Sequence, residues 1–284
     1  MSRPNALGEY LRARRELTDP ADAGLPVVGV RRTPGLRREE VATLAGISAD
    51  YYLRLEQGRD RNPSPQVLQA LARVFRLDAT ATEHLLSLTT ARPPAPRRPR
   101  REVVPLGIRQ LLDTINLPAF VESRMFDVLA ANRLATAVSP NIRPGVNRLR
   151  ALFLDPAEQD LHPDWEQAVR GMVAGFRTSV GSDVDDPRIV RLVGELSLAS
   201  DTFRRLWARH DVTPLAGGTM RLRHPRAGLL ELRREKLPIS DSGGQILAVY
   251  HAEPGSASAR ALEALGSWEA GEARSTTSAD TGTA

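Results

Sequence analysis

The stretch that most limits how this chain can fold is LRREEVATLAGISADYYLRLEQG, Leu36 to Gly58. Two helices that cross closely need a small residue where their backbones meet. They also need a glycine free to take positive φ in the turn, and bulky apolar residues on the facing sides. Ala42, Gly46, Tyr52 and Leu55 supply these at the required spacing, with Val41 and Leu44 on the first helix. Ser48 stands where its hydroxyl can cap the second helix, whose first turn is then free to enter a groove as wide as the ~12 Å major groove of B-DNA. A helical hairpin without a ligand could carry Ala and Gly at such places. The full set with Ser48, flanked by further helices, favours a reading head.

The flanking patterns are helical too. Leu7, Tyr10, Leu11 and Arg14 recur at helical spacing, and Pro65 to Phe75 has Ser64 as N-cap, Pro65 at the first helical position and Val67, Leu68, Leu71, Val74 and Phe75 on one face. A further helix follows Asp78 and buries Leu85, Leu86 and Leu88. Charge supports the same reading. Residues 1–101 hold 18 Arg against 11 Asp or Glu, and residues 102–284 hold 21 basic against 23 acidic side chains. Positive charge gathered at one end suits a module that neutralises phosphates, although the general abundance of arginine, with Lys236 the one lysine, weakens any argument from arginine alone.

RPPAPRRPRR, Arg92 to Arg101, contains four prolines that block helix and sheet pairing. The domain boundary is expected there, with 1–91 as the first domain, 92–104 as linker, 105–269 as the second domain and 270–284 as a disordered tail of small and polar residues. The five arginines of that run are read as a solvated linker in preference to phosphate contacts. Beyond it, PAFVES and MFDVLAA read as short strands, Asn132 to Val138 as a helix and Asp164 to His210 as a long helical stretch. TMRLRHP, LLELRRE and ILAVYHAE alternate apolar and polar positions around Pro225, Gly228, Gly243 and Gly244, as a three-stranded meander does. The expected class is α+β: an all-α five-helix N-terminal domain followed by a mixed domain.

Enzymatic readings find little support. The histidines, at 84, 162, 210, 224 and 251, show no metal-ligand spacing, so no metal site is expected. His210-Asp211 invites an acid–base reading, but no nucleophile elbow, phosphate loop or dinucleotide fingerprint accompanies it, and no catalytic residue is assigned. The acidic run GSDVDDP could hold calcium, yet it more simply starts a helix at Pro187. Cysteine is absent, which excludes disulfides and thiolate sites, and no signal peptide or membrane-length apolar run is seen; a cytoplasmic location is expected.

Through EEVATLAGIS and RLEQGRDRNPSPQVLQALA, residues 5–89 resemble the phage repressor and Cro type of helix-turn-helix, the xenobiotic-response-element family. That resemblance implies a lambda-repressor-like fold binding operator DNA. It places Ser48, Ala49, Asp50, Tyr51 and Arg54 toward base edges and Arg37, Arg38, Arg59, Arg61 and Asn62 toward phosphates. Arginine can pair with guanine and aspartate can accept from cytosine, whereas Ala49 offers only a methyl contact. Arg15 and Glu56 match a buried structural ion pair. LTDPADAGLPVVGVRRTPG departs from the compact pattern as an insertion between the first two helices. Its Arg31 and Arg32 are read either as a basic arm or as part of a solvated loop.

Residues 105–268 resemble the ligand-binding domain of MmyB-like regulators in PAFVESRMFDVLAANRLA, HPDWEQAVR, VGELSLASDTFRRLWARHDV, GGTMRLRHP and VYHAEPGS. The resemblance implies a PAS-like fold with an apolar, fatty-acid-like effector and no other cofactor. Ala131, Met220 and Arg233-Arg234 depart from the family's usual residues. Leu129, Trp165, Phe203, Trp207 and Met220 are the candidate pocket residues, with ordinary core packing as the competing reading. Such a regulator is expected to bind double-stranded DNA as a homodimer. The alternative is a protein-interaction module whose second domain meets a partner protein.

Overall fold

The computed structural model describes residues 5–26, 33, 35–60, 62–89, 102–181, 183–184, 186–214 and 216–280, with side chains as far as Trp268. The first elements are helices α1 (Ala6–Leu17), α2 (Arg38–Ala45), α3 (Ala49–Glu56), α4 (Pro65–Val74), α5 (Ala79–Ser87) and α6 (Leu106–Thr114), then strands β1 (Ala119–Glu122) and β2 (Val128–Ala131). Helices α7 (Arg133–Val138), α8 (Arg148–Leu154), α9 (Pro156–Leu161), α10 (Trp165–Val180), α11 (Pro187–Ala199) and α12 (Asp201–Ala208) follow. Strands β3 (Gly218–His224), β4 (Gly228–Pro238) and β5 (Ile246–His251) and helix α13 (Ala257–Asp280) complete the order. Two compact units result: Met1–Arg97 with Val173–Pro214, and Arg98–Met172 with Leu215–Ala284. The end of α10 with α11 and α12 groups with the N-terminal helices. The linker expected at Arg92 to Arg101 lies outside the described residues, as do Arg31, Arg32 and Arg61.

Four of the first five helices are started by a side chain that takes one of the orphan N–H groups of the first turn. Asn5, Ser48, Ser64 and Asp78 accept from Gly8, Tyr51, Val67 and Ala81 respectively. Apolar residues at helical spacing then converge on one core, in which Tyr10, Leu11, Leu36, Tyr52, Leu55 and Leu71 are fully enclosed. Each large apolar side chain so buried contributes about 1.5–3 kcal/mol. The stretch from Asp164 to His210 is broken in two places. Gly181 takes φ +54, and Asp186 then starts α11 by accepting from the Arg188 N–H, with Pro187 at the first position as expected. Ser200 leaves the helical region and caps α12 through the Phe203 N–H.

The second unit is built on a five-stranded antiparallel sheet of order β2-β1-β5-β4-β3. Its helices make this the α+β, PAS-like architecture expected. Alternation along the strands sends Phe120, Leu222, Leu230, Ala248 and Tyr250 to a core shared with α7 and α13, and Val121 and Leu247 to one shared with α6. The tail reading needs correction, since α13 continues to Asp280. Ser256 starts it by accepting from the Ala259 N–H, Leu262 and Leu265 anchor it, and the residues beyond include no proline to stop it.

Candidate nucleic-acid interface

The α2–α3 turn is built as its composition requires. Gly46 closes α2 in the left-handed region at φ +69, its N–H bonds to Thr43 O, and the Ile47 N–H bonds back to Ala42 O at 3.0 Å. Ala42 is buried where the helices meet, and Ser48 Oγ accepts from Tyr51 N at 3.1 Å. Tyr52 and Leu55 fill the inward face of α3. Ser48, Ala49, Asp50 and Arg54 are exposed and Tyr51 is half-buried.

Within the exposed face, Arg54 forms an (i, i+4) ion pair with Asp50 and lies over the Tyr51 ring at 5.8 Å. The residue expected to meet guanine is thus held by the one expected to meet cytosine. Such an exposed pair is worth only about 0.3–0.5 kcal/mol, so it orders the guanidinium without locking it. Arg37, Arg38, Arg59 and Asn62 are all exposed. Of these, Arg38 has a structural partner: its Nε donates to Glu56 Oε2 at 2.7 Å.

Arg15 and Glu56 meet as the resemblance implied, at 2.6 Å between Nε and Oε1, with both side chains buried. Arg15 also donates to Leu36 O at 3.1 Å. Burial alone raises the Glu56 carboxyl, but the hydrogen bonds from Arg15 and Arg38 prevail and hold it below the usual carboxylate range. Asn5 completes the junction, its Nδ2 donating to Glu56 O at 2.6 Å while its Oδ1 accepts from Gly8 N. Sequence reading passed over Asn5, although an Asn just before the first apolar repeat is a helix-start signal.

The candidate pocket residues are dispersed. Phe203 and Trp207 stack in the first unit, with ring centroids 5.9 Å apart, beside Phe176. In the second unit Trp165 packs edge-on to Phe153 and donates to Leu152 O, while Leu129 and Met220 belong to different apolar clusters of the sheet. The second unit also buries a charged group that the sequence did not reveal. Fully enclosed Glu122 on β1 meets Arg148 at 3.0 Å and Lys236 at 2.9 Å, and Arg148 also donates to Tyr250 Oη at 3.0 Å. Burial raises the Glu122 carboxyl, but the two cations bring it below its ordinary value. The one signal in the sequence was Lys236 itself, the single lysine of an arginine-rich chain.

Two family models match this chain. One, described as a helix-turn-helix domain, matches residues 6–85, the span of α1–α5. The other, described as the MmyB-like transcription regulator ligand binding domain, matches residues 104–265, more than half of the chain. The chain belongs to the MmyB-like transcription regulators. Among curated proteins nothing matches it. This MmyB-like chain is a DNA-binding transcriptional regulator with a ligand-binding region, and among the described residues no helix is long and apolar enough to cross a membrane.

Proposed function

We propose that this regulator reads double-stranded operator DNA through the first turn and outer face of α3, as a homodimer, under the control of an apolar, fatty-acid-like molecule in its ligand-binding region. The observation that carries the DNA-reading part is the exposure of Ser48, Ala49, Asp50 and Arg54 together on a helix whose opposite face is fully buried. In this reading Ser48, Ala49, Asp50, Tyr51 and Arg54 face base edges, and Arg37, Arg38, Arg59, Arg61 and Asn62 face phosphates. One α3 contacts few bases, so a second copy is needed to fill an inverted repeat with half-sites about 10 base pairs, or about 34 Å, apart. The family match to a ligand-binding domain supports a small-molecule effector, and its apolar character rests on the resemblance to MmyB-like regulators.

Footprinting on the DNA upstream of the protein's own gene tests the reading. Arg54→Ala is expected to lose about 1–3 kcal/mol at one operator position and little on random duplex. Equal losses on both would remove Arg54 from base reading. Sedimentation with operator DNA should show two chains per duplex; one chain per duplex rules out the dimer. Denaturing extraction followed by mass spectrometry should recover an apolar acid, and its repeated absence, with no effect of added fatty acids on melting, would end the effector proposal.

A further inference from the structure

An α-helix leaves its last carbonyls without partners, and at the end of α12 two arginines from other helices reach them. Arg14 of α1 donates to Arg209 O at 3.1 Å, and Arg177 of α10 donates to Trp207 O. Arg14 also pairs with Asp211 at 2.9 Å, and the other oxygen of Asp211 takes Arg209 Nε at 2.7 Å. The guanidinium of Arg177 lies 3.7 Å from the centre of the Trp207 ring. Fully buried Tyr10 of α1 meets the His210 ring edge-on at 6.3 Å and that of His84 on α5 at 5.2 Å. His210 holds φ +53, a left-handed conformation that penalises any residue with a Cβ. Backbone held that way persists only where surrounding contacts fix it.

The junction is tight but incompletely satisfied. Arg14 Nε and Arg177 Nε are buried with no hydrogen-bond partner among the described residues. Arg14, Arg177, His84 and His210 gather around Tyr10 with Asp211 the carboxylate that Arg14 touches, and burial with the two guanidiniums pushes both imidazoles down so that they stay neutral. Glu9 and Asp78 add only longer-range negative charge, and Arg12 adds positive. A partly satisfied buried polar network holds less firmly than an apolar interface of the same size. Such a contact is suited to opening.

Its position gives opening a consequence. The residue after Arg14 is Arg15, which holds Glu56 at the end of α3. The docked segment belongs to the stretch matched by the ligand-binding model, 104–265, yet it packs with helices of the stretch matched by the helix-turn-helix model, 6–85. We propose that Val173–Pro214 is a latch on the DNA-reading helices: with the end of α12 seated on Arg14 and Tyr10, α1 holds α3 in its reading position, and release of that end lowers affinity for DNA. This rests on the reading of α3 as the DNA-contacting helix.

The test uses the full chain carrying Asp211→Arg, the milder Asp211→Asn, and the charge swap Asp211→Arg with Arg14→Asp. Hydrogen exchange of α1 and α5 is read beside affinity for the footprinted operator. Asp211→Arg should speed exchange in both helices at least tenfold and weaken operator binding at least tenfold, Asp211→Asn should do both to a smaller degree, and the swap should restore most of each. Faster exchange confined to α12 would overturn the latch, and so would faster exchange in α1 with unchanged DNA affinity. If the unaltered chain binds no duplex DNA, the DNA-reading proposal falls and takes the signalling role with it, while the exchange measurement still decides whether the segment is docked.

Discussion

Replacing Glu56 by alanine should cost the first unit more than any other single loss of charge in the reading domain. The carboxylate is 3 % exposed and accepts from Arg15 Nε at 2.6 Å and Arg38 Nε at 2.7 Å. Its removal leaves the Arg15 guanidinium buried, with Leu36 O and the exposed Glu16 carboxylate as its remaining partners. Removing one partner of a buried ion pair costs about 3–5 kcal/mol, a large part of the roughly 5–15 kcal/mol that holds a domain together. The Arg38 side chain is 45 % exposed, so Arg38→Ala should cost no more than about 1 kcal/mol, and the two effects should be strongly unequal. Because the chain has two compact units, a single melting curve does not isolate this effect; amide exchange in α1 and α3 does. At about 1.4 kcal/mol per tenfold, Glu56→Ala should speed the most protected amides there by roughly a hundredfold to a few thousandfold. Acid should mimic it: the Glu56 carboxyl titrates below its ordinary value, so its contribution is complete above that value and lost as pH falls through the lowered one. Less than fivefold acceleration for Glu56→Ala, or an equal effect of Arg38→Ala, would refute the assignment of Arg15 and Glu56 as the tie between α1 and α3.

His84 and His210 titrate near pH 4 and pH 3, below the ordinary 6.5, chiefly because they are buried and then because Arg177 and Arg14 stand close. The first unit should therefore be most stable above about pH 6.5 and weaken steadily toward pH 4 and 3; in His84→Phe the slope of exchange against pH should shrink, and an unchanged slope would exclude His84 as a cause. Gly46→Ala and Gly35→Ala should separate conformational strain from collision. At Gly46, φ is +69 and nothing lies within 4 Å of an added Cβ, so the cost should be about 1–2 kcal/mol. At Gly35 the added Cβ would also sit 2.3 Å from Arg15 O, and exchange in α1 should show a distinctly larger loss; equal losses would contradict the packing of that turn against α1.

What could be read from the sequence is what depends on near neighbours. The cap by Ser48, the turn at Gly46 and the start of α11 at Pro187 are each decided within four residues, and each stands where its chemistry places it. Strands β3 and β4 were legible by alternation, because one face of each is buried, whereas β1 and β5 are covered on both faces. The outward placing of Asp50 and Arg54 on α3 was implied by the family resemblance, and helical spacing agrees with it, since Tyr52 and Leu55 point inward. Alternation also predicts which strand residues face a core, but not which charges the core will tolerate. Glu122, Arg148 and Lys236 are brought together by the pairing of β1, β5 and β4 and by the packing of α8.

The division of the chain was the least legible feature, and the reason lies in α10 to α12. These helices have ordinary amphipathic patterns, with Ile189, Leu192 and Leu196 inward on α11 and Phe203 inward on α12. Such a stripe states that a helix will be covered, and it does not state by what. The specific contacts are distant in sequence: Arg14 with Asp211 and with Arg209 O, and Tyr10 with His210. Each uses a residue whose local role is already complete, since Arg14 and Tyr10 also fit an ordinary α1 and His210 ends α12 wherever it packs. Helix periodicity therefore cannot distinguish a segment folded onto its own domain from one seated on its neighbour. The difference lies in partnerships such as Arg14 with Asp211, where exchanging the two charges should be tolerated if, and only if, the residues face each other.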